Sequence, residues 1–269
     1  MLHRSFLNGM QKNSFLFLGT GASMGTPVLT CHCAVCLSAD KRNHRLRPSG
    51  LLKIGEKRFL IDVGPDYRMQ ALQYRIERLD GVLITHTHYD HVAGLDDLRV
   101  YYFFHKKTLP CLLSDDSLLE IKVRNHYFFE QLKDDVMGGS RFDFQVINNR
   151  FRKVDFGGEL WQIMTYEQGG MKVTGYRWRN FAYVIDLKHF TDELYAALKG
   201  VEVLVMSALR YRSSPAHLTM EEAVAFAKRV GAQQTWFSHV AHDLDHEMTN
   251  RELPPEIQLA YDGLEIDVN

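Results

Sequence analysis

The stretch His86-Thr87-His88-Tyr89-Asp90-His91 places four side chains of metal-ligand type within six residues. Imidazole nitrogens and carboxylate oxygens both suit divalent ions, and the run follows directly on the apolar Val82-Leu83-Ile84. In extended backbone, His86 and His88 point to one side. A turn after them lets Asp90 and His91 face a second position, so one loop can serve two neighbouring ions, an arrangement suited to in-line displacement at phosphorus. A second cluster is Cys31, Cys33 and Cys36, again within six residues. Disulfides between such neighbours would be strained, whereas three thiolates need one more ligand for tetrahedral zinc. His242 can supply it. Cys111, alone in an apolar segment, reads as a small core residue.

The elements that must position these groups are legible as short apolar runs alternating with helical patterns. Strands are predicted at Phe15–Leu18, Leu51–Ile54, Phe59–Val63 and Val82–Ile84, the second and third forming a hairpin at Gly55-Glu56. Helical spacing covers Tyr67–Tyr74, Leu95–Phe104 and Leu118–Phe129. The second half opens with strands at Phe142–Ile147, Leu160–Met164, Lys172–Trp178 and Phe181–Ile185, with a turn at Gly169-Gly170. A short helix at Leu194–Leu198 and a strand at Val203–Met206 follow. Thr219-Met220-Glu221-Glu222 fits a capping box for a helix running to Val230 and stopping at Gly231, before a last inner strand at Thr235–Phe237. Two strand-rich blocks, each followed by helices, predict two packed sheets with helices on both outer faces.

Together these pieces resemble the metallo-β-lactamase superfamily, whose signature HxHxDH matches His86, His88, Asp90 and His91. Other parts occur in the family's order. Leu60-Ile61-Asp62-Val63-Gly64 is similar to the strand whose Asp supports the metal loop from beneath. Val184-Ile185-Asp186 is similar to the strand delivering a carboxylate that bridges both ions, and Ser238-His239 to the strand delivering a late histidine to the second. Cys31, Cys33, Cys36 and His242 resemble the structural zinc of the phosphoribosyl cyclic phosphodiesterases of phosphonate breakdown (PhnP) and their relatives. Gly94-Leu95-Asp96-Asp97-Leu98-Arg99, Ala216-His217-Leu218-Thr219 and Ala260-Tyr261-Asp262-Gly263-Leu264 extend the match from Phe15 to Ile266.

The resemblance implies an α/β fold, the αββα sandwich of two central mixed sheets, forming one domain over residues 14–269 after a variable extension, 1–13. It implies two divalent catalytic ions, zinc or manganese, and one structural zinc. His86, His88 and Asp186 hold the first ion; Asp90, His91, Asp186 and His239 hold the second; Asp62 fixes a ligand imidazole. A metal-activated hydroxide would attack a small cyclic or nucleotide-like phosphodiester, with Asp90 orienting it. His217, just outside a helix N-terminus, would hydrogen-bond a phosphate oxygen or protonate the leaving oxygen. Arg210 would contact a substrate phosphate.

One family ligand is absent. The first ion's third histidine falls in Glu167-Gln168-Gly169-Gly170, and no histidine occurs from Phe151 to Lys188. Gln168 is the expected occupant, with Glu167 as a substitute should the loop shift. A neutral amide is a poorer zinc ligand than imidazole, so the first site would be weak, empty or better suited to manganese.

Composition narrows the partners. The 269 residues are 45% hydrophobic and 24% charged, with net charge −1, the profile of a globular protein without a global field for nucleic acid or an anionic membrane. No apolar run reaches bilayer length. With no export signal in Met1–Asn13 and no disulfide framework, a cytoplasmic setting is expected. Arg42, Arg45 and Arg47 read as a solvated loop. Tyr101–Phe104 and Tyr127–Phe129 read as core, with a lid or a homodimer contact as the other options. Rival activities are RNA processing, thioester or lactone hydrolysis, and a degenerate binder of metal or nucleotide.

Overall fold

Apolar alternation along the first strand, β1 (Ser14–Gly19), shows how the layers arise. Phe15 and Phe17 enter one apolar cluster while Leu16 and Leu18 enter another, because successive side chains leave opposite faces. The computed structural model describes residues 12–129, 141–148 and 151–269, so the expected extension over 1–13 lies almost wholly outside them.

The remaining strands are β2 (Ser49–Ile54), β3 (Lys57–Ile61), β4 (Gly81–Leu83), β5 (Leu109–Ser114), β6 (Phe142–Ile147), β7 (Arg152–Phe156) and β8 (Glu159–Gln168). They continue with β9 (Met171–Trp178), β10 (Phe181–Val184), β11 (Val203–Ser207), β12 (Gln234–Ser238), β13 (Ile257–Leu259) and β14 (Glu265–Asp267). They build two seven-stranded sheets, ordered β14-β1-β2-β3-β4-β5-β6 and β13-β12-β11-β10-β9-β8-β7. Each contains the same device. An antiparallel hairpin, β2–β3 or β9–β10, passes into a parallel pair, β3–β4 or β10–β11. The two sheets are thus both mixed, and their parallel strands deliver chain ends to one edge of the sandwich.

Between the sheets Phe15, Phe59, Leu83, Trp161, Tyr176, Trp178 and Phe181 form one cluster. Phe15 meets Phe181 at 4.9 Å between ring centroids and Phe59 meets Trp161 at 5.2 Å. Each such side chain contributes roughly 1.5–3 kcal/mol by leaving water. The helices are α1 (Tyr67–Gln73), α2 (Tyr89–Val92), α3 (Arg99–His105), α4 (Asp115–Arg124), α5 (Asp192–Leu198), α6 (Met220–Val230) and α7 (His246–Glu252). Tyr67, Tyr101 and Ile121 pack on the outer face of the first sheet, and Leu194, Leu198 and Phe226 on that of the second. The αββα layering expected from the sequence is the one observed. So are the capping box at Thr219 and the left-handed stop at Gly231.

Two local expectations are corrected. Arg45 is buried, donating to Thr20 Oγ1 at 2.8 Å and to the Ala260 carbonyl, while Arg47 pairs with Asp66 at 2.9 Å. Arg45 is therefore an internal clamp rather than part of a solvated loop, while Arg42, its side chain 41% exposed, stays at the surface with Asp40 and Glu247. Tyr101 is core, but Phe103 and Phe104 are 50% and 74% exposed, because the short α3 buries only one side. Cys111 is fully buried.

Candidate metal centre

Three strand ends deliver side chains to one place by leaving the sheet in the left-handed region. Asp62 after β3, Asp186 after β10 and His239 after β12 have φ of 60°, 60° and 57°. Such backbone is disfavoured for non-glycine residues and persists only where surroundings over-determine it. Here they do. Thr85 donates its N–H and its hydroxyl to Asp62, both at 2.8 Å. Tyr176 donates to the Ile84 carbonyl at 2.6 Å and Tyr166 to the Ile185 carbonyl at 2.7 Å, bracing the strand ends that lead to His86 and Asp186. Gly64 admits the metal loop: a Cβ there would stand 2.2 Å from the Asp90 carbonyl oxygen. Arg124 of α4 donates to the Thr87 carbonyl, and Thr87 donates its hydroxyl to Glu120 at 2.5 Å.

The side chains then converge. Asp186 Oδ2 lies 3.3 Å from His86 Nε2 and 3.2 Å from His91 Nε2; Asp186 Oδ1 lies 3.2 Å from His239 Nε2. Asp90 Oδ2 is 3.4 Å from His91 Nε2 and 3.3 Å from His239 Nε2. His86 Nε2 and His88 Nδ1 are 3.0 Å apart. His86, His88 and Asp186 form one group of candidate ligands, and Asp90, His91 and His239 another. Two ligands about 2.1 Å from one ion, at a near-tetrahedral angle, stand about 3.4 Å apart, so the donor set fits divalent ions. The orphaned atoms agree: His91 Nε2 and Asp186 Oδ1 are buried without a hydrogen-bond partner.

Charge within the cluster is strongly perturbed. Burial opposes ionisation of Asp186 and Asp90, yet the imidazoles of His91 and His239 outweigh it and hold both carboxyls well below the usual range. Burial likewise opposes a charge on His91, but Asp62, Asp90 and Asp186 raise it well above the ordinary value. His91 Nδ1 is 2.7 Å from Asp62 Oδ2, whereas His239 Nδ1 has no partner. One ring is anchored from behind and the other by packing.

Gln168, the last residue of β8, is buried at this centre. Its Nε2 is 3.1 Å from Asp186 Oδ2 and 3.0 Å from His217 Nε2. Glu167, its neighbour, points outward and is exposed, so strand alternation removes it as a substitute ligand. His217 lies in the loop before α6, anchored by Leu218 N donating to the Leu187 carbonyl at 3.1 Å. Its Nδ1 faces Asp186 Oδ1 at 3.6 Å and its ring stacks on His239 at 5.1 Å. Burial and the neighbouring imidazoles, only partly offset by carboxylates, push its pKa down to about 4. Arg210 stays outside the ligand groups. It bridges to Thr219, and its Nε is buried without a partner.

The cysteine cluster is equally well defined. His242 Nδ1 is 3.3 Å from Cys31 Sγ, 3.4 Å from Cys33 Sγ and 3.5 Å from Cys36 Sγ. Tetrahedral zinc, with Zn–S of about 2.3 Å and Zn–N of about 2.0–2.1 Å, would require S···N of about 3.5 Å. A backbone N–H from Cys36 draws the Cys33 thiol down to about 6, while burial pushes Cys36 up to about 11. His242 follows His239 by three residues, and Val240 exchanges backbone bonds with Thr20 and Ala22. The cysteine site and the Asp–His site therefore share one strand end.

The sequence profile of the beta-lactamase superfamily domain matches residues 57–240, which span both halves of the Asp–His cluster. The chain belongs to the beta-lactamase superfamily. A solved diphosphatase of the PhnP family is 33% identical, superposes with a TM-score of 0.88, and is covered over 98% of its length by 96% of this chain. A Porphyromonas gingivalis protein named octanoyltransferase is 36% identical over 93% of this chain; the match spans only 50% of that protein. Human tRNase Z, short form, shares the fold at 15% identity and a TM-score of 0.68, covering 95% of this chain and 99% of its own. The chain is a PhnP-like, metal-dependent hydrolase with Asp and His clusters that fit divalent ions. Among the described residues no helix is long and apolar enough to cross a membrane.

Sequence reasoning missed the braces: Thr85, Tyr166, Tyr176, Glu120 and Arg124. The tyrosines and Arg124 reach backbone carbonyls far along the chain, and no local spacing signals such bonds.

Proposed function

We propose that this chain hydrolyses a small phosphodiester, cyclic or nucleotide-like, at two divalent ions, zinc or manganese, with a separate structural zinc on Cys31, Cys33, Cys36 and His242. The observation that carries the reading is Asp186, whose two oxygens reach His86 and His91 on one side and His239 on the other at 3.2–3.3 Å. His86, His88 and Asp186 would hold the first ion, and Asp90, His91, His239 and Asp186 the second. When bound, the ions would make water nucleophilic near neutral pH and offset charge growing on the phosphoryl oxygens.

The chain's own residues do the rest. Asp62 holds the His91 ring in place through Nδ1, leaving Nε2 to face the ion. Asp90 presents one oxygen between His91 and His239 and orients the attacking water. His217 is held neutral at pH 7, since its pKa lies near 4. A neutral imidazole is a poor proton donor but a sound hydrogen-bond donor, which favours, of the two roles expected for His217, a hydrogen bond to a phosphoryl or departing oxygen. Arg210, with its unpartnered Nε, is assigned to a substrate phosphate.

The kinship to a PhnP-family diphosphatase over nearly the whole of both chains supports chemistry at phosphorus. A second reading, hydrolysis of an acyl thioester, is favoured by the octanoyltransferase relative. That name belongs to a protein about twice as long as the matched region, so the named activity has another half in which to reside. The experiment is direct. Bis(p-nitrophenyl) phosphate and a medium-chain acyl thioester are offered with added manganese or zinc. Phosphodiester turnover that disappears in Asp90→Ala supports the proposal; thioester turnover alone would move the assignment to acyl chemistry.

A further inference from the structure

We propose that Gln168 is a positioning residue for His217: its amide ties that imidazole to the Asp186 carboxylate and does not serve as the first ion's remaining protein ligand. The inference rests on the functional reading above in one respect, that His217 acts on substrate.

The geometry is specific. Each hydrogen of the Gln168 amide has one acceptor, Asp186 Oδ2 at 3.1 Å and His217 Nε2 at 3.0 Å. If Nε2 of His217 accepts, its proton resides on Nδ1, the nitrogen 3.6 Å from Asp186 Oδ1. One amide thereby fixes three things: the tautomer of His217, the plane of its ring, and its distance from the carboxylate placed between the two ion positions. A neutral imidazole at position 168 would carry one N–H and so could not donate to Asp186 and His217 together, as the two hydrogens of the amide can. Gln168 itself is secured by the strand: Glu167 N donates to the His189 carbonyl at 2.9 Å, and a Cβ on Gly169 would meet Ala216 at 3.6 Å. The end of β8 is therefore seated against the loop carrying His217. The first ion would then be held by His86, His88 and Asp186, with the rest of its coordination open to water or substrate, as in catalytic sites with an open position.

The rival is plain. Gln168 Oε1 is buried and unpartnered, and a rotated amide could present oxygen to the ion. Gln168→Leu keeps the volume and removes both functions; Gln168→Met serves if the leucine variant does not fold. Three readouts separate the two roles. In manganese and zinc titrations followed by metal analysis, the variant is expected to bind as many ions as the wild type, with first-ion affinity changed less than about threefold. On the phosphodiester, kcat is expected to fall about 10–100-fold with KM little altered, and the double variant with His217→Ala to be no slower than His217→Ala alone. In the zinc-loaded protein, the ¹⁵N shifts of His217 are expected to report the Nδ1–H tautomer in the wild type and a mixture in Gln168→Leu. Loss of an ion, a tenfold or greater weakening of the first ion, additive effects with His217→Ala, or an unchanged tautomer would each overturn the proposal. If the wild type turns over no phosphodiester, the functional reading fails, while the titration and the ¹⁵N shifts still decide the role of Gln168.

Discussion

Asp62 Oδ2 stands 2.7 Å from His91 Nδ1, both side chains fully buried, one at the end of β3 and the other on α2. The pair joins the first sheet to the metal loop. Because the other Asp62 oxygen takes the Thr85 N–H, the carboxylate cannot turn away, and the His91 ring is fixed with Nε2 toward Asp186.

Asp62→Ala removes that anchor and leaves a buried imidazole nitrogen without an acceptor. Second-ion affinity or turnover is expected to fall about 10–100-fold. Competition titration with a metal-indicator dye measures it, and an unchanged affinity would mean the ring is held by packing alone.

Ion binding is expected to release protons at neutral pH. Burial works against a charge on His91, but Asp62, Asp90 and Asp186 raise its pKa well above the ordinary 6.5, so the ion-free ring carries a proton at pH 7. An ion at Nε2 must displace it, and affinity therefore climbs as pH rises toward that raised value. Calorimetry in buffers of different ionisation enthalpy reads the release. A heat independent of buffer would contradict the assignment of His91 as a ligand.

His217→Ala removes a hydrogen-bond donor to developing charge; His217 also forms a candidate ligand group with Asp186 and His239, so ion stoichiometry tells the two roles apart. Turnover is expected to drop roughly 10²–10³-fold, with ion stoichiometry unchanged by metal analysis. A rise in KM with kcat unchanged would reassign His217 to ground-state binding.

Cys36→Ser should cost the structural zinc. One equivalent is expected to disappear in metal analysis, with a lower melting temperature, because the variant loses one of the three sulfurs that gather within 3.3–3.5 Å of His242 Nδ1 and the cross-link they would make through zinc. Turnover in excess manganese should be reduced but measurable. Retention of that zinc would place it elsewhere.

Acid stability tests the internal arginine clamp. Burial, then Arg45 and Arg42, push His246 down to about 4, and its Nδ1 accepts from Arg45 at 3.2 Å. The folded value lies below the unfolded 6.5. The stabilisation is therefore fully present above pH 6.5 and is lost as pH falls through about 4. His246→Gln should narrow the gap in melting temperature between pH 7 and pH 5. An equal gap would remove His246 from the acid limb.

Much of this centre was legible because metal ligation demands particular residue types. His86, His88, Asp90 and His91 announce themselves by spacing, whereas Asp186 and His239, each a lone residue after an apolar strand, were reached through the order of the family's motifs. What stayed hidden is what local pattern cannot encode. The burial of Arg45 depends on Ala260 and His246, more than two hundred residues away in the chain. The exposure of Phe104 depends on α3 having only one covered side. Strands β13 and β14, three residues each, are set by their partners β12 and β1 and carry too few residues for a period of two to register. Gln168, expected where the family's third histidine falls, is buried 3.1 Å from Asp186 Oδ2, yet its approach to His217 required the loop before α6 to be in view.

The central claim is that two ion positions share Asp186. Metal analysis of wild type and Asp186→Asn, each purified without chelator and dialysed against manganese and zinc, tests it most directly. The account expects about three ions per chain in the wild type, and about one, the cysteine-bound zinc, in the variant. A variant that keeps all of its ions would contradict it.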